Sequence, residues 1–228
     1  MSDAICSSTA AASRVRDSWR AAETTGASLG AQRAALMRLA TGHPVYVQGD
    51  PSGFVYQVVF GLIRTVSLTG DGARIIHGFH LPGEVFGEDS CPHRSHTAEA
   101  VCTTGIVRCE QASLQALADS DPAAAGALWL WLLQNRERTA EHLRLLARAS
   151  ALDRVLYFLF DLAARTASPT EVELPMSRYD IGDYLGLSNE TVSRTFTILR
   201  NRGLIVTRGR SVLLLKPAKL STSIQNLP

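Results

Sequence analysis

The sequence predicts an α+β fold with strands in the first half, a long central helix, and a small helical domain that ends in a hairpin. Short alternating runs broken by glycine fill residues 43–110, which is typical of a β-sandwich or barrel. An apolar stripe at spacings of three and four then continues from 121 to about 150, which indicates a long helix. Two short helical patterns around a glycine, and a hairpin after them, follow in residues 177–215.

The composition is that of a globular chain of 228 residues, 46% hydrophobic and 19% charged, and its length is enough for two modest domains. We divide it into a tail (1–30), a β-rich domain (31–120), the long helix (121–150) and a C-terminal domain (151–228). The net charge is only +2, but no acidic residue follows Glu190, whereas arginines and lysines continue. Such a basic C-terminal surface favours a nucleic-acid partner.

Cysteine usage and hydropathy predict a cytoplasmic protein with no membrane partner. The four cysteines lack a C-x-x-C spacing. The N-terminal residues show neither the charged n-region nor the apolar h-region of a signal peptide, and no apolar run is long enough to cross a bilayer. We therefore expect reduced thiols. Cys6 alone cannot supply four thiolates for an iron–sulfur centre, and no cysteine follows Cys109 to act as a switch in the C-terminal domain.

The first half contains several short predicted elements. A short helix is predicted near 15–22 and a helical stretch at 31–38, and glycine-rich turns separate the strands that follow. The predicted strands are 43–50, 54–60, 62–68, 74–79 and 98–110.

Histidines in this region raise the question of a metal site. His77 and His80 are three apart on a predicted strand, so alternation is expected to place them on opposite faces, where they cannot share a metal. Cys91, His93 and His96 lie in a predicted loop and in principle form a zinc or haem ligand set, although loop histidines are more often solvated. No catalytic triad signature or phosphate-binding glycine loop is present. We predict that the protein binds no metal and no cofactor, has no catalytic residue and is not an enzyme.

The long helix begins at Asp121-Pro122, which fits an N-cap and first helical turn. Its stripe indicates either a coiled-coil-like seam with a second copy of the chain or a face that packs on the chain's own fold. The stripe comprises Leu128, Trp131, Asn135, Arg138, His142, Leu145, Ala149 and Leu152. A further helix is predicted at 152–165 and a short strand at 172–175.

The C-terminal domain carries the pattern of a helix-turn-helix. Ser177 with Asp180 is close to a capping-box start, Gly186 can end the first helix with a positive φ, and Ser188 can cap the second. The second helix has an apolar face at helical spacing. Its members are Val192, Phe196 and Leu199.

Polar residues on the other side of that helix suit the edges of bases. They are Asn189, Glu190, Ser193, Arg194, Thr197 and Arg200. Arginine can bind guanine O6 and N7, and glutamate can accept from a cytosine amine, so the pattern predicts a recognition helix in a major groove. The hairpin forms a wing that could lay Arg208 and Arg210 against phosphate. The alternative is the solvated face of an ordinary two-helix hairpin.

The segment 187–194, with Leu199 and 203–205, resembles the recognition helix of Crp/Fnr-type bacterial transcription factors. Their E-x-x-S-R pattern is matched by Glu190, Ser193 and Arg194, and the serine is similar to the Fnr and FixK side of that family. The resemblance implies a TTGA-containing half-site, with Arg194 on guanine and Glu190 on the opposite cytosine. Asn189 departs from the usual residue, which leaves the outer base open. The residues expected to position the domain are Ser188, Arg200, Arg208 and Arg210.

Segments 47–50, 60–64 and 79–87 resemble the cyclic-nucleotide-binding β-roll of the same family. There, a Gly-Glu pair grips the ribose and an Arg-Ser pair neutralises the phosphate. Gly87-Glu88 and Arg94-Ser95 superficially match, but the connecting segment is shorter than the pattern requires. We therefore expect no bound nucleotide.

The resemblance thus implies a cyclic-nucleotide-binding-type β-roll, a long dimerisation helix and a C-terminal winged helix-turn-helix. The function implied is that of a FixK-like regulator, an activator that binds a TTGA-type palindrome as a homodimer and controls microaerobic respiration or nitrogen-fixation-type genes. Its partners would be double-stranded DNA, RNA polymerase and a second copy of the chain. Two alternatives remain open: a version gated by cyclic nucleotide or haem, and a β-roll metal-dependent enzyme with an accessory winged helix.

Overall fold

The computed structural model describes residues 35–166, 168 and 170–215, and it confirms the predicted α+β class. One compact unit extends to Glu137 and the other begins at Arg138. The predicted tail helix at 15–22 and Cys6 lie outside the described residues. Among the helices that the structure describes, none is long and apolar enough to span a membrane.

The first unit is built from two four-stranded antiparallel sheets with the orders β1-β8-β3-β6 and β2-β7-β4-β5. Their strands are β1 (Met37–Leu39), β2 (Pro44–Tyr46), β3 (Phe54–Phe60), β4 (Ile63–Leu68), β5 (Arg74–His80), β6 (Val85–Phe86), β7 (Thr97–Ala100) and β8 (Thr104–Glu110). Aromatic rings from both sheets meet in the core, where Tyr56 and Phe86 stack at 5.4 Å and Tyr46 lies 5.7 Å from Tyr56. A buried aromatic cluster therefore closes the β-roll.

Two predictions for this unit are wrong. The described end of the segment 31–38 is a strand and not a helix, because Met37 to Leu39 pair with the edge of β8, and tertiary pairing overrides local propensity. The run 98–110 forms two strands and not one, since β7 and β8 belong to different sheets. Strand β6 and the helix α1 (Gln111–Ser120) were not predicted.

The second unit is a helical core with a small sheet. Its elements, with the long helix that leads into it, are α2 (Pro122–Arg148), α3 (Ala151–Arg165), β9 (Glu171–Glu173), α4 (Arg178–Leu185), α5 (Asn189–Asn201), β10 (Ile205–Arg208) and β11 (Ser211–Leu214). The sheet has the order β10-β11-β9. Leu159 of α3, Leu185 of α4 and Leu199 of α5 are fully buried. This apolar core fixes the two-helix motif on α3.

The predicted stripe of α2 packs on the chain's own fold. In the first unit Trp131 packs against Val55 and Val85, and Asn135 Nδ2 donates to Glu88 Oε1 at 3.1 Å. In the second unit the His142 ring stacks on Tyr184 at 4.1 Å. These contacts favour packing of the stripe on the chain's own fold over a coiled-coil-like seam with a second copy of the chain.

Large apolar side chains of α2 lie exposed outside that stripe. They are Trp129 (63% exposed), Leu130 (45%), Leu132 (46%), Leu133 (38%) and Leu143 (61%). Spacing alone could not reveal this second apolar face, because residues three and four apart recur on either side of the helix.

Candidate nucleic-acid interface

The first helix of the motif, α4, is fixed at both ends by its own sequence. Ser177 Oγ accepts from the backbone N–H of Asp180 at 3.1 Å, and Asp180 Oδ2 accepts from the backbone N–H of Ser177 at 2.9 Å. This is the predicted capping box. At the other end Gly186 has φ 63°, so the predicted left-handed cap is confirmed.

The turn between α4 and α5 is held by a glycine that the sequence pattern did not single out. A Cβ on Gly182 would lie 2.5 Å from the carbonyl oxygen of Leu187, and the Leu187 N–H donates back to the Gly182 carbonyl at 3.0 Å. The backbone of the turn therefore lies too close for any side chain at position 182. This approach sets the angle at which α5 is presented.

Helix α5 buries one face and exposes the other. Ser188 Oγ caps it by accepting from the Thr191 N–H at 3.1 Å. The predicted apolar face is buried, with Val192 and Leu199 at 0% exposure and Phe196 at 4%. The residues of this segment predicted to contact DNA lie on the other side, where Asn189 is half-buried and Ser188, Glu190, Ser193, Arg194, Thr197 and Arg200 are exposed.

The two predicted base readers are paired with each other. Arg194 Nη2 donates to Glu190 Oε1 at 2.5 Å, and their side chains are 75% and 71% exposed. An exposed pair one helical turn apart contributes only about 0–1 kcal/mol. Both side chains can therefore turn to other partners at small cost.

A second contact links the C-terminal half of the same face. Arg200 Nη2 donates to Thr197 Oγ1 at 3.1 Å, and that hydroxyl donates to the Ser193 carbonyl at 3.1 Å. The Arg200 side chain is thereby directed back along the helix towards the base readers.

The wing places two arginines at its tip. Arg208 pairs with Ser211 at the end of the β10–β11 ladder, and Gly209 turns the chain with φ 59°. The Arg210 carbonyl accepts from the Leu174 N–H at 2.9 Å, which joins the tip to the segment that precedes α4. Both Arg208 and Arg210 are exposed, as phosphate contacts require.

Arg178, the first residue of α4, belongs to this surface but was not predicted. Its guanidinium carbon lies 3.2 Å from the centroid of the Phe196 ring. Burial and the nearby Arg200 charge lower its pKa to about 10. The only signal in the sequence was a basic residue directly after an N-cap, and that pattern does not reveal the ring or the second arginine.

The β-roll arginine that would bind a nucleotide phosphate is occupied by the chain itself. Arg94 Nη1 donates to the Gly87 carbonyl at 2.6 Å and pairs with Asp89 Oδ2 at 3.2 Å, while Nη2 donates to the Phe54 carbonyl at 2.6 Å. Its guanidinium lies 4.1 Å over the Tyr46 ring, and its side chain is 1% exposed. Asp89 thus already neutralises this buried arginine, so the residues present do not fit a cyclic nucleotide phosphate.

The histidines of the β-roll do not gather into a metal site. The prediction that His77 and His80 lie on opposite faces is wrong, because a register shift in the β4–β5 ladder interrupts the alternation. Their rings contact Ser67 and Thr65, which are two residues apart on β4. Within the described ranges, no group of three or more His, Cys, Asp or Glu side chains could hold a metal.

Two family models match the chain, and their boundaries fall close to the two units. A Crp-like helix-turn-helix domain matches residues 153–222, and a cyclic nucleotide-binding domain matches residues 36–121.

Several characterised proteins are similar over most of the chain. The nitrogen fixation regulation protein FixK of Azorhizobium caulinodans is 46% identical over 70% of this chain and 67% of its own length. FixK of Rhizobium meliloti is 38% identical over 78% and 82%, and the transcriptional activator protein anr of Pseudomonas aeruginosa is 34% identical over 80% and 77%. Among solved structures, FixK2 from Bradyrhizobium japonicum superposes with a TM-score of 0.78 at 37% identity, over 83% of this chain and 96% of that one.

Proposed function

This chain belongs to the Crp/Fnr family of DNA-binding transcription regulators, and we propose that it is a FixK-like activator that binds a TTGA-type inverted repeat as a homodimer. The observation that carries the proposal is the exposed face of α5. There Glu190, Ser193 and Arg194 project from a helix whose opposite face is buried in the core of the second unit.

Base reading in this proposal uses the paired side chains. On entering the major groove, Arg194 exchanges Glu190 for the O6 and N7 atoms of a guanine, and Glu190 accepts from the amine of the opposite cytosine. A bidentate contact discriminates by about 1–3 kcal/mol, which exceeds the roughly 0–1 kcal/mol of an exposed ion pair. The exchange is therefore more favourable on the correct base pair than on a wrong one. Ser193 lies between them, and Asn189 faces the outer base.

Backbone contacts in this proposal fix the register of the helix on the duplex. Ser188 and Thr197 offer hydroxyl groups, while Arg200, Arg208 and Arg210 offer exposed charges on the helix and the wing. Contacts of this kind position a protein and supply salt-dependent affinity without reading sequence.

The second copy of the chain is proposed to cover the exposed apolar face of α2. Trp129, Leu132 and Leu133 are more than one-third exposed on one helix, and a surface of this kind marks an interface in a soluble protein. A two-fold dimer presents two recognition helices to half-sites about one helical turn, roughly 34 Å, apart. An inverted repeat is the DNA symmetry that matches it.

The gene class follows from the relatives. Two of them are nitrogen fixation regulation proteins and a third is a transcriptional activator, so we assign this chain to the activation of nitrogen-fixation or microaerobic respiration genes, with RNA polymerase as partner. We propose that the chain has no catalytic role. A ligand-gated mechanism is disfavoured, because Arg94 is already neutralised by Asp89.

The experiment that tests this proposal is fluorescence anisotropy of the full chain on the duplex TTGAT-N4-ATCAA and on a scrambled duplex at the same salt, with and without cyclic AMP. Selective binding without the nucleotide is expected. Selectivity that arises only with the nucleotide would contradict the ligand-free mechanism, and equal affinity for both duplexes would contradict sequence reading.

A further inference from the structure

The exposed apolar face of α2 has one charged residue in its middle. Trp129 and Leu143 lie seven residues to either side of Arg136, and Leu132 and Leu133 lie about one turn before it. All five side chains are exposed. Among the residues that the structure describes, Arg136 has no hydrogen bond or ion pair. A guanidinium inside an apolar interface is costly unless the covering surface supplies an anion, so a partner that covers this face should bring an acidic group to Arg136.

An acidic group without a cation borders the same face. Glu88 lies just after β6, and its Oε1 accepts from Nδ2 of Asn135 on α2 at 3.1 Å. Within the described part of the chain, no cation forms an ion pair with Glu88. Burial of the carboxyl group raises the pKa of Glu88 to about 7, although part of its side chain is exposed. A cation brought beside it would favour the charged form.

Parallel packing of two copies of α2 brings these complementary charges together. Both copies run in the same direction if both C-terminal domains are to face one duplex, as the two-fold dimer requires. In a heptad seam through Trp129, Arg136 and Leu143, each seam residue packs beside the residue that precedes its counterpart on the facing helix. Arg136 thus comes beside Asn135 of the partner subunit, whose amide already holds Glu88.

We propose that Arg136 of each copy forms an ion pair with Glu88 of the partner subunit, so that two such pairs join each long helix to the β-roll of the other copy. The proposal rests on the homodimer of the proposed function and adds to it the residues by which the copies recognise each other. The site is incomplete in a single chain. A charged residue at one seam position fixes register and partner choice more than it adds affinity.

The first test reverses each charge and then mixes the two variants. Arg136→Glu brings two carboxylates together at each contact, and Glu88→Arg brings two guanidinium groups together. Each variant alone should dimerise at least roughly 100-fold more weakly than the parent in sedimentation analysis. An equimolar mixture should form heterodimers, detected by native mass spectrometry, because the two copies then present unlike charges to each other at both contacts.

Mixing distinguishes a contact between copies from a contact within one chain. If Arg136 met Glu88 of its own chain, like charges would remain opposed in every copy of the mixture. Only the double variant Arg136→Glu/Glu88→Arg would then dimerise. Glu137→Arg is the matched control, because it reverses an exposed carboxylate that lies about 100° round the helix from Arg136. It should dimerise like the parent and should not rescue Arg136→Glu.

The second test neutralises the charges instead of reversing them, and circular dichroism checks that every variant is folded. Arg136→Gln and Glu88→Gln should each weaken dimerisation by roughly tenfold, because each leaves the opposite charge without its partner. The double variant should be no weaker than either single variant, since both remove the same contact. Losses that multiply in the double variant would show that the two residues act independently, which would overturn the pair.

The outcomes separate this inference from the function on which it rests. A parent that is monomeric overturns the homodimer of the proposed function, and the inference with it. A dimeric parent overturns this inference alone if the single reversals dimerise as tightly as the parent, or if only the double variant and not the mixture recovers. Heterodimers that form only from the mixture of Arg136→Glu and Glu88→Arg support it.

Discussion

Replacing Arg194 by alanine tests the base-reading face most sharply, because the residue makes little contribution to the fold. Its side chain is 75% exposed and its recorded partner is the equally exposed Glu190, so the free energy of unfolding should change by less than about 0.5 kcal/mol. On DNA the variant loses the bidentate guanine contact, worth about 1–3 kcal/mol. The expected result is a roughly 5- to 150-fold weaker affinity for the TTGA duplex.

The assay is anisotropy on the specific duplex, on a duplex with the guanine–cytosine pair of each half-site replaced, and on a scrambled duplex. Arg194→Ala should bind the first two about equally, whereas the parent should prefer the first. Arg202→Ala removes one exposed positive charge near the other end of the same helix and controls for net charge. If Arg194→Ala weakened the specific and scrambled duplexes by the same factor, the residue would be a phosphate contact and the assignment of the base reader would be refuted.

Three further predictions concern the wing, the β-roll and the long helix. Arg208→Ala should weaken all sequences similarly and lower the salt slope by about 0.9, and a loss confined to the specific duplex in anisotropy would contradict its place on phosphate. Asp89→Ala should lower the free energy of unfolding in urea by about 3–5 kcal/mol, because it leaves the Arg94 charge buried and unpaired. Although burial raises the pKa of Asp89, hydrogen bonds from Ser95 and Arg94 hold that pKa below its usual value. The stabilisation by Asp89 should therefore be present above the ordinary carboxyl range and fade as the pH falls through the lowered pKa. If the free energy of unfolding of Asp89→Ala fell with acid in the same way as that of the parent, this assignment would be contradicted. Trp129→Glu should convert a dimer to a monomer in sedimentation analysis while the chain stays folded by circular dichroism, since the ring is 63% exposed in the single chain, and a variant that remains dimeric would place the interface elsewhere.

The helix-turn-helix could be predicted almost residue by residue because its signals are local. The capping box of Ser177, the left-handed Gly186 and the N-cap Ser188 each depend on hydrogen bonds within four residues, so the sequence pattern contains all the necessary information. The exposed side of α5 followed from the same helical periodicity that identified its buried side.

Features that depend on long-range contacts could not be predicted in this way. The strand at Met37–Leu39 forms because β8 offers a free edge, and the stripe of α2 faces inward because partners such as Tyr184 meet it. Arg178 stacks on Phe196, which is eighteen positions away in the numbering. In each case the neighbour that decides the structure is distant in sequence and is brought close only by folding, so the local sequence pattern does not reveal it.

Selection from a pool of random duplexes shows directly whether the free protein reads a TTGA inverted repeat. The full chain, with no nucleotide added, would be used to enrich bound duplexes over several rounds, and the products would be sequenced. The expected product is an inverted repeat of TTGA with half-sites about one helical turn apart, and Arg194→Ala should lose the preference for guanine. Recovery of single half-sites, of a motif without that guanine, or of no motif would show that the free protein does not read this repeat.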